Sequence, residues 1–350
     1  MSGPLAGITV LELGSLIAGP FCAKTLGDFG AEVINPHVYA NLPFDTLRDF
    51  APVTKLGDAT LILVAHPSVA AKDLRELLSL KQNPRPTTGR ASAAIVWHSS
   101  RMPDTLAPRG KFGVLAPSTN TSVQPEFDAM RPWGVTHHHS RLVIPDSKVS
   151  DDASFLAMMD NIRGALFPAL EAVLTCDPDY VILGMSSETF WDGLEGSKKL
   201  ERKLKRIAKR GLAMGSDACR AALAAYGRGI KRLGVVTPYM PVGDRQVVRF
   251  FTECGYEVVN LHGFKCASPT AIAAVTPKAL RDAIQRVNRG RVDAIVQVGT
   301  NLACAGVAAM AEFWLGKPVI AINTATYWYA LRDYGIKDRV PGFGSLLAEH

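Results

Sequence analysis

From residue 111 onward, short apolar runs alternate with stretches of helical periodicity. The apolar runs fall at 112–116, 180–184, 233–237, 257–261, 293–298 and 318–322. Most are apolar along their length, the pattern of strands covered on both faces. Between them, residues 198–210, 217–226, 245–254, 277–289 and 302–315 carry the spacing of helices with one apolar side. This alternation predicts an α/β architecture with parallel sheets flanked by helices.

The pattern also repeats. KFGVLAPSTN at 111–120 aligns with RLGVVTPYMP at 232–241, and DYVILGMSS at 179–187 aligns with DAIVQVGTN at 293–301. Each half then has one strand ending in a proline turn and a later strand ending in small polar residues. The expected arrangement is two pseudo-symmetric, Rossmann-like lobes. Lobe 1 spans about 111–230 plus the C-terminal helix, and lobe 2 about 231–325. Ligands of such sheets bind beyond the carboxyl ends of the strands, and all four repeated segments end there. Ser186, Ser187, Thr300 and Asn301 are expected where helices begin, which suits an anion. Each has a plainer reading as an N-cap, 117–120 as a turn, and Tyr239 as a packed ring. Recurrence of all four segments in matching places favours a site.

Three further runs carry a family resemblance: APSTNT at 116–121, TPY at 237–239, and KPVIAIN at 317–323 with Trp328, Leu331 and Arg332 following. Together they resemble the Asp/Glu racemase superfamily, and within it the maleate isomerases and arylmalonate decarboxylases. The resemblance implies an active site between the lobes. It also implies a cofactor-independent decarboxylase or cis–trans isomerase of small dicarboxylates, malonate-like or maleate-like. Asn120 and Tyr239 would contact substrate carboxylate oxygens, with Ser118, Ser186, Ser187, Thr300 and Asn301 completing the pocket. The superfamily places a cysteine at each of the two later strand ends. Here those positions hold Met185 and Gly299, and neither can ionise. Decarboxylation fits better than covalent isomerisation, which needs a thiolate. A substitute proton donor would be Tyr239, an acid such as Glu188, or water. The alternative is a non-catalytic dicarboxylate-binding protein.

Other residues bear on the same chemistry. Arg141 offers a fork for a carboxylate. Glu188 and Asp192 flank the first polar strand end. Cys304 is expected inside the last long helix of lobe 2, as a small core residue. His137 and His139 could converge on one face of a strand, but no third metal ligand is evident.

The first 110 residues differ in character. Residues 4–34 resemble the extreme N-terminus of family III CoA-transferases. Residues 35–80, with LPFDTL at 42–47, DFAPV at 49–53 and HPS at 66–68, resemble a piece of the solute-binding proteins of tripartite tricarboxylate transporters. Residues 81–110 read as a linker. Acyl-CoA transfer rests on 4–34 alone, and that family's catalytic aspartate lies in sequence this chain lacks.

Composition narrows the classes. With 350 residues, 47% of them hydrophobic and 20% charged, the chain can bury a large core without staples. The net charge is +7, but the basic residues are scattered, so no nucleic-acid partner is expected. The six cysteines form no CxxC pair and read as reduced thiols of a cytoplasmic protein. No run reaches membrane-spanning length and no signal peptide is evident. No metal or cofactor is expected, and a homo-oligomer is left open.

Overall fold

The computed structural model describes residues 104–350 and two three-residue strands, Thr9–Leu11 (β1) and Glu32–Ile34 (β2). The chain divides into two compact units, Met1–Ile95 and Val96–His350. In the first, β1 and β2 pair in parallel, Thr9 opposite Glu32 and Leu11 opposite Ile34. The rest of the CoA-transferase-like stretch at 4–34, the solute-binding-like stretch at 35–80 and most of the linker lie outside the described residues.

The second unit holds two four-stranded parallel sheets among its described residues. Lobe 1 is built from β3 (Gly110–Pro117), β4 (Val135–Leu142), β5 (Tyr180–Leu183) and β6 (Gly211–Met214), in the order β4-β3-β5-β6. Lobe 2 is built from β7 (Arg232–Thr237), β8 (Glu257–Gly263), β9 (Ala294–Gln297) and β10 (Val319–Ala321). Its order, β8-β7-β9-β10, is the same topology. Register matches the inner strand pairs of the two lobes to the residue, while β7 against β8 carries a register shift that β3 against β4 lacks. Phe112 of β3 lies opposite Tyr180 of β5, and Leu233 of β7 lies opposite Ala294 of β9. Counting on, Met185 corresponds to Gly299, Ser186 to Thr300 and Ser187 to Asn301. One bracket is also shared. A carboxylate oxygen of Asp179 accepts from the Lys111 backbone N–H at 2.9 Å, and one of Asp293 accepts from the Arg232 N–H at 2.8 Å.

The inner strands are buried along their length, and helices cover both faces. They are α1 (Val123–Met130), α2 (Asp152–Leu174), α3 (Gly193–Ala208), α4 (Gly215–Ala225), α5 (Pro241–Glu253), α6 (Pro277–Val287), α7 (Ala305–Leu315), α8 (Ile322–Tyr334) and a short α9 (Ser345–Glu349). The start of α2 is fixed by a capping box, in which Asp151 accepts from the Ser154 N–H and Ser154 reaches back. In both lobes the last strand runs straight into a helix, β6 into α4 and β10 into α8. These two helices pack together, and α8 also lies on α1, β5 and β6 of lobe 1. Their approach depends on Gly215, where a Cβ would come within 2.7 Å of Ile322 Cδ1.

Several elements escape the hydrophobic pattern. Strand β4 reads VTHHHSRL, because it is a half-buried edge strand. Strand β6 is only four residues and merges with α4. Helices α1, α2 and the short α9 fall outside the predicted segments. The predicted start of α7 at 302 moves to Ala305, which makes Cys304 its N-cap and leaves Thr300 and Asn301 in the preceding turn.

Candidate active site

Between the lobes lies a cavity of ≈ 50 Å³. Eight of the residues expected at the site line it: Asn120, Met185, Ser186, Ser187, Tyr239, Gly299, Thr300 and Asn301. Its remaining wall is largely apolar, with Ile144 from the segment after β4, Met158 and Ile162 of α2, and Ile272 of the short 3₁₀ turn Thr270–Ile272. No Lys, Arg, His, Asp, Glu or Cys is among the lining residues.

The polar wall is one connected network from both lobes. Ser186 Oγ and the Tyr239 hydroxyl share a hydrogen bond of 2.7 Å. The Thr300 N–H donates to Ser186 Oγ at 3.2 Å, and Thr300 Oγ1 donates to the Gly184 carbonyl at 3.2 Å. Asn120 Nδ2 donates to Thr300 Oγ1 at 3.2 Å, while Asn120 Oδ1 accepts from the Ser122 and Val123 N–H groups and so fixes the turn into α1. Asn301 braces the opposite turn. Its Oδ1 accepts from the Thr121 N–H, and its Nδ2 donates to the carbonyls of Thr119 and Pro269. Phe155 meets the Tyr239 ring edge-to-face at 5.6 Å. Burial pushes the Tyr239 phenol up, with the Ser186 hydroxyl opposing.

Two residues behind this wall went unseen in the sequence. Glu126 of α1 is a buried carboxylate that accepts from the Ala305 N–H at 2.9 Å and from Asn323 Nδ2 at 2.6 Å. Asn323 also donates to the Thr300 carbonyl at 2.8 Å. The two residues thereby tie lobe 1 to the 300–301 turn. Burial raises the Glu126 carboxyl, opposed by those same hydrogen bonds. The repeat in the sequence did not mark it, because the matching acid of lobe 2 becomes visible only once the helix starts are known. Glu126 is the fourth residue of α1, and an acid, Asp244, is the fourth residue of α5.

With this geometry in place, the chain can be set against known proteins. A family model described as arylmalonate decarboxylase matches residues 172–347, just over half of the 350-residue chain. The chain belongs to the arylmalonate decarboxylase family. Maleate isomerase of Pseudomonas putida is 26% identical over 249 residues, covering 68% of this chain and 97% of that protein. Maleate isomerase of Geobacillus stearothermophilus is 24% identical over 259 residues, covering 69% and 99%. Two solved structures share the fold. A Nocardia farcinica maleate cis-trans isomerase with a covalently bound succinylcysteine intermediate gives a TM-score of 0.62 at 20% identity, covering 69% of this chain and 98% of that one. An arylmalonate decarboxylase gives 0.55 at 19% identity, covering 68% and 98%. Residues 5–68 match a CoA-transferase family III model. That likeness runs past residue 34 into the stretch read as solute-binding-like. The alpha subunit of succinyl-CoA–L-malate CoA-transferase from Chloroflexus aurantiacus is 45% identical over 58 residues, only 13% of its length.

This member of the arylmalonate decarboxylase family places its other candidates away from the cavity. Ser118 and Arg141, read from the sequence as substrate contacts, do not line it. Ser118 Oγ closes on the Ile144 backbone at 3.1 and 3.2 Å. Arg141 donates to the Asn120 carbonyl at 2.9 Å and to Gln124 Oε1 at 2.8 Å, so it supports Asn120 from behind. Glu188 is gripped by Arg163 Nε at 2.9 and 3.0 Å, and Asp192 is largely exposed. His137 bonds Asp128 at 2.8 Å and the Tyr327 hydroxyl at 2.9 Å. His139 is lowered to about 4, chiefly by burial. Among the described residues no group of His, Cys, Asp and Glu could hold a metal ion, and no helix is long and apolar enough to cross a membrane. None of the five described cysteines lines the cavity, and burial raises the thiols of Cys219 and Cys304. Gly299 adds a constraint the sequence could not show. Its φ is +106°, and a Cβ there would lie 2.4 Å from Pro238 Cδ.

Proposed function

We propose that the chain is a cofactor-independent decarboxylase of small malonate-like dicarboxylates. One observation carries this reading: a cavity between the lobes with neutral donors from both of them on one wall and largely apolar side chains on the rest. The donors hold one carboxylate and stabilise the enediolate as charge develops on it. The second carboxylate meets Ile144, Met158, Ile162 and Ile272, with no cation to compensate its lost hydration. Release of carbon dioxide removes that buried charge. The space holds roughly three or four water-sized guests, which favours a small alkyl substituent over an aryl ring. We place the reaction in the cytoplasm, where thiols stay reduced.

A panel of methylmalonate, phenylmalonate and maleate tests this. The expected outcome is carbon dioxide from methylmalonate, far less from phenylmalonate, and no fumarate from maleate. Fumarate from maleate would establish isomerisation instead. A second reading, a dicarboxylate binder without turnover, draws on the lack of any thiol in the lining. Thermal stabilisation by malonate with no product from any of the three would favour it.

A further inference from the structure

We infer that Tyr239, poised by Ser186, protonates the carbon left when carbon dioxide departs; this rests on the decarboxylase reading above. The lining offers only hydroxyls as Brønsted acids. Thr300 Oγ1 is committed to the Gly184 carbonyl, and Ser187 Oγ is turned toward Met185 Sδ at 3.6 Å. Glu188, the acid the sequence suggested, is held by Arg163 outside the cavity. Thr119, the last hydroxyl of the lining, is an aliphatic alcohol like Ser186, which leaves the Tyr239–Ser186 pair with the one phenol. Of the two, the phenol is the stronger acid by several powers of ten, with an ordinary pKa of about 10.

The hydrogen-bond polarity decides the direction. Ser186 Oγ receives the Thr300 N–H, so one lone pair is filled. Its own hydrogen can then point to the Tyr239 oxygen at 2.7 Å, which frees the tyrosine hydrogen to face the guest. After transfer, Ser186 O–H, backed by Thr300 N–H, is already aimed at the new phenolate. Phe155 holds the ring edge-on at 5.6 Å.

The step balances as follows. The bond from the α-carbon to the departing carboxylate breaks and leaves its electron pair in the enediolate. The α-carbon then takes the proton from the Tyr239 hydroxyl, and a C–H bond forms as the O–H bond breaks. The resulting tyrosinate is reprotonated by water admitted as carbon dioxide leaves. Lobe 1 holds Ser118 at the position matching Tyr239, tied to the Ile144 backbone. The proton therefore arrives from the lobe 2 side alone, and the product is handed.

The test is methylmalonate decarboxylation in D₂O by the full chain, scored for the handedness of the 2-deuteropropanoate. Wild type should give one enantiomer in excess. Tyr239→Phe should lose about 100-fold or more in kcat, bind malonate within about tenfold of wild type, and give racemic residual product. Ser186→Ala should slow turnover about tenfold while keeping the handedness. Full rate and retained handedness in Tyr239→Phe would overturn the proposal, as would racemic product from Ser186→Ala. Either result leaves the decarboxylase reading intact. No carbon dioxide from the wild type overturns both.

Discussion

In lobe 1 the strand beside β3 runs out into Met185, and in lobe 2 its counterpart beside β7 runs out into Gly299. The frames around these two positions match in strand order, in register and in the aspartate bracket at the strand entrances. The ends do not match. Met185 is a buried side chain against the cavity, whereas Gly299 has a backbone that only glycine adopts without strain and packs on Pro238. The fourth-residue acids diverge as well. Glu126 reaches across to lobe 2, while Asp244 receives the Thr237 hydroxyl within its own lobe. A duplicated scaffold can hold its hydrogen-bonded frame in common and still assign different tasks to its two halves.

The largest test of this asymmetry is Glu126→Ala. It removes two hydrogen bonds of a buried carboxyl, one from the Ala305 N–H of lobe 2 and one from Asn323, which holds the Thr300 carbonyl, and stability to denaturant should fall by about 4 kcal/mol. A loss as small as that of Asp244→Asn would show that the strut does not join the halves. Gly299→Cys comes next. The positive φ and the overlap with Pro238 should cost about 3 kcal/mol, against about 1–2 kcal/mol for Met185→Cys. Equal costs would erase the contrast between the two strand ends.

Acidity separates the lobes more gently. Burial raises Asp244 to about 6, with the Thr237 hydroxyl opposing. The folded state therefore binds its proton more tightly than the unfolded chain does. The stability this group contributes is full below the ordinary carboxylate range and is lost as pH rises through about 6. Relative to Asp244→Asn, the wild type should lose about 1–2 kcal/mol between pH 4 and pH 7 in urea midpoints. Parallel pH profiles would contradict the burial of this carboxyl. The smallest contrast concerns the brackets. Asp293 accepts two backbone N–H groups and the Arg232 side chain, whereas Asp179 accepts a single N–H. Asp293→Asn should cost about 1 kcal/mol and Asp179→Asn less.

Much of the frame was legible because strands covered on both faces read as apolar runs, and because the sequence repeats within the chain. The edge strand β4 escaped for the opposite reason: its run, VTHHHSRL, is polar and only half-buried. The strand ends were legible as a set, since small polar residues recur at the same step of each repeat. Directions of side chains were not. Ser118 and Arg141 stand beside the expected site, yet they serve the backbone of Ile144 and Asn120. Glu126 stayed hidden because its partners lie 179 and 197 residues away along the chain, and local periodicity carries no trace of such distances.

A crystal structure of the full chain soaked with malonate tests most directly whether one small anion is shared by both lobes. The account predicts one carboxylate within hydrogen-bond reach of Asn120, Ser187 and Tyr239, and the other against Met158 and Ile162. Malonate bound only outside the cavity, or held by Arg141 on the far side of Asn120, would contradict it.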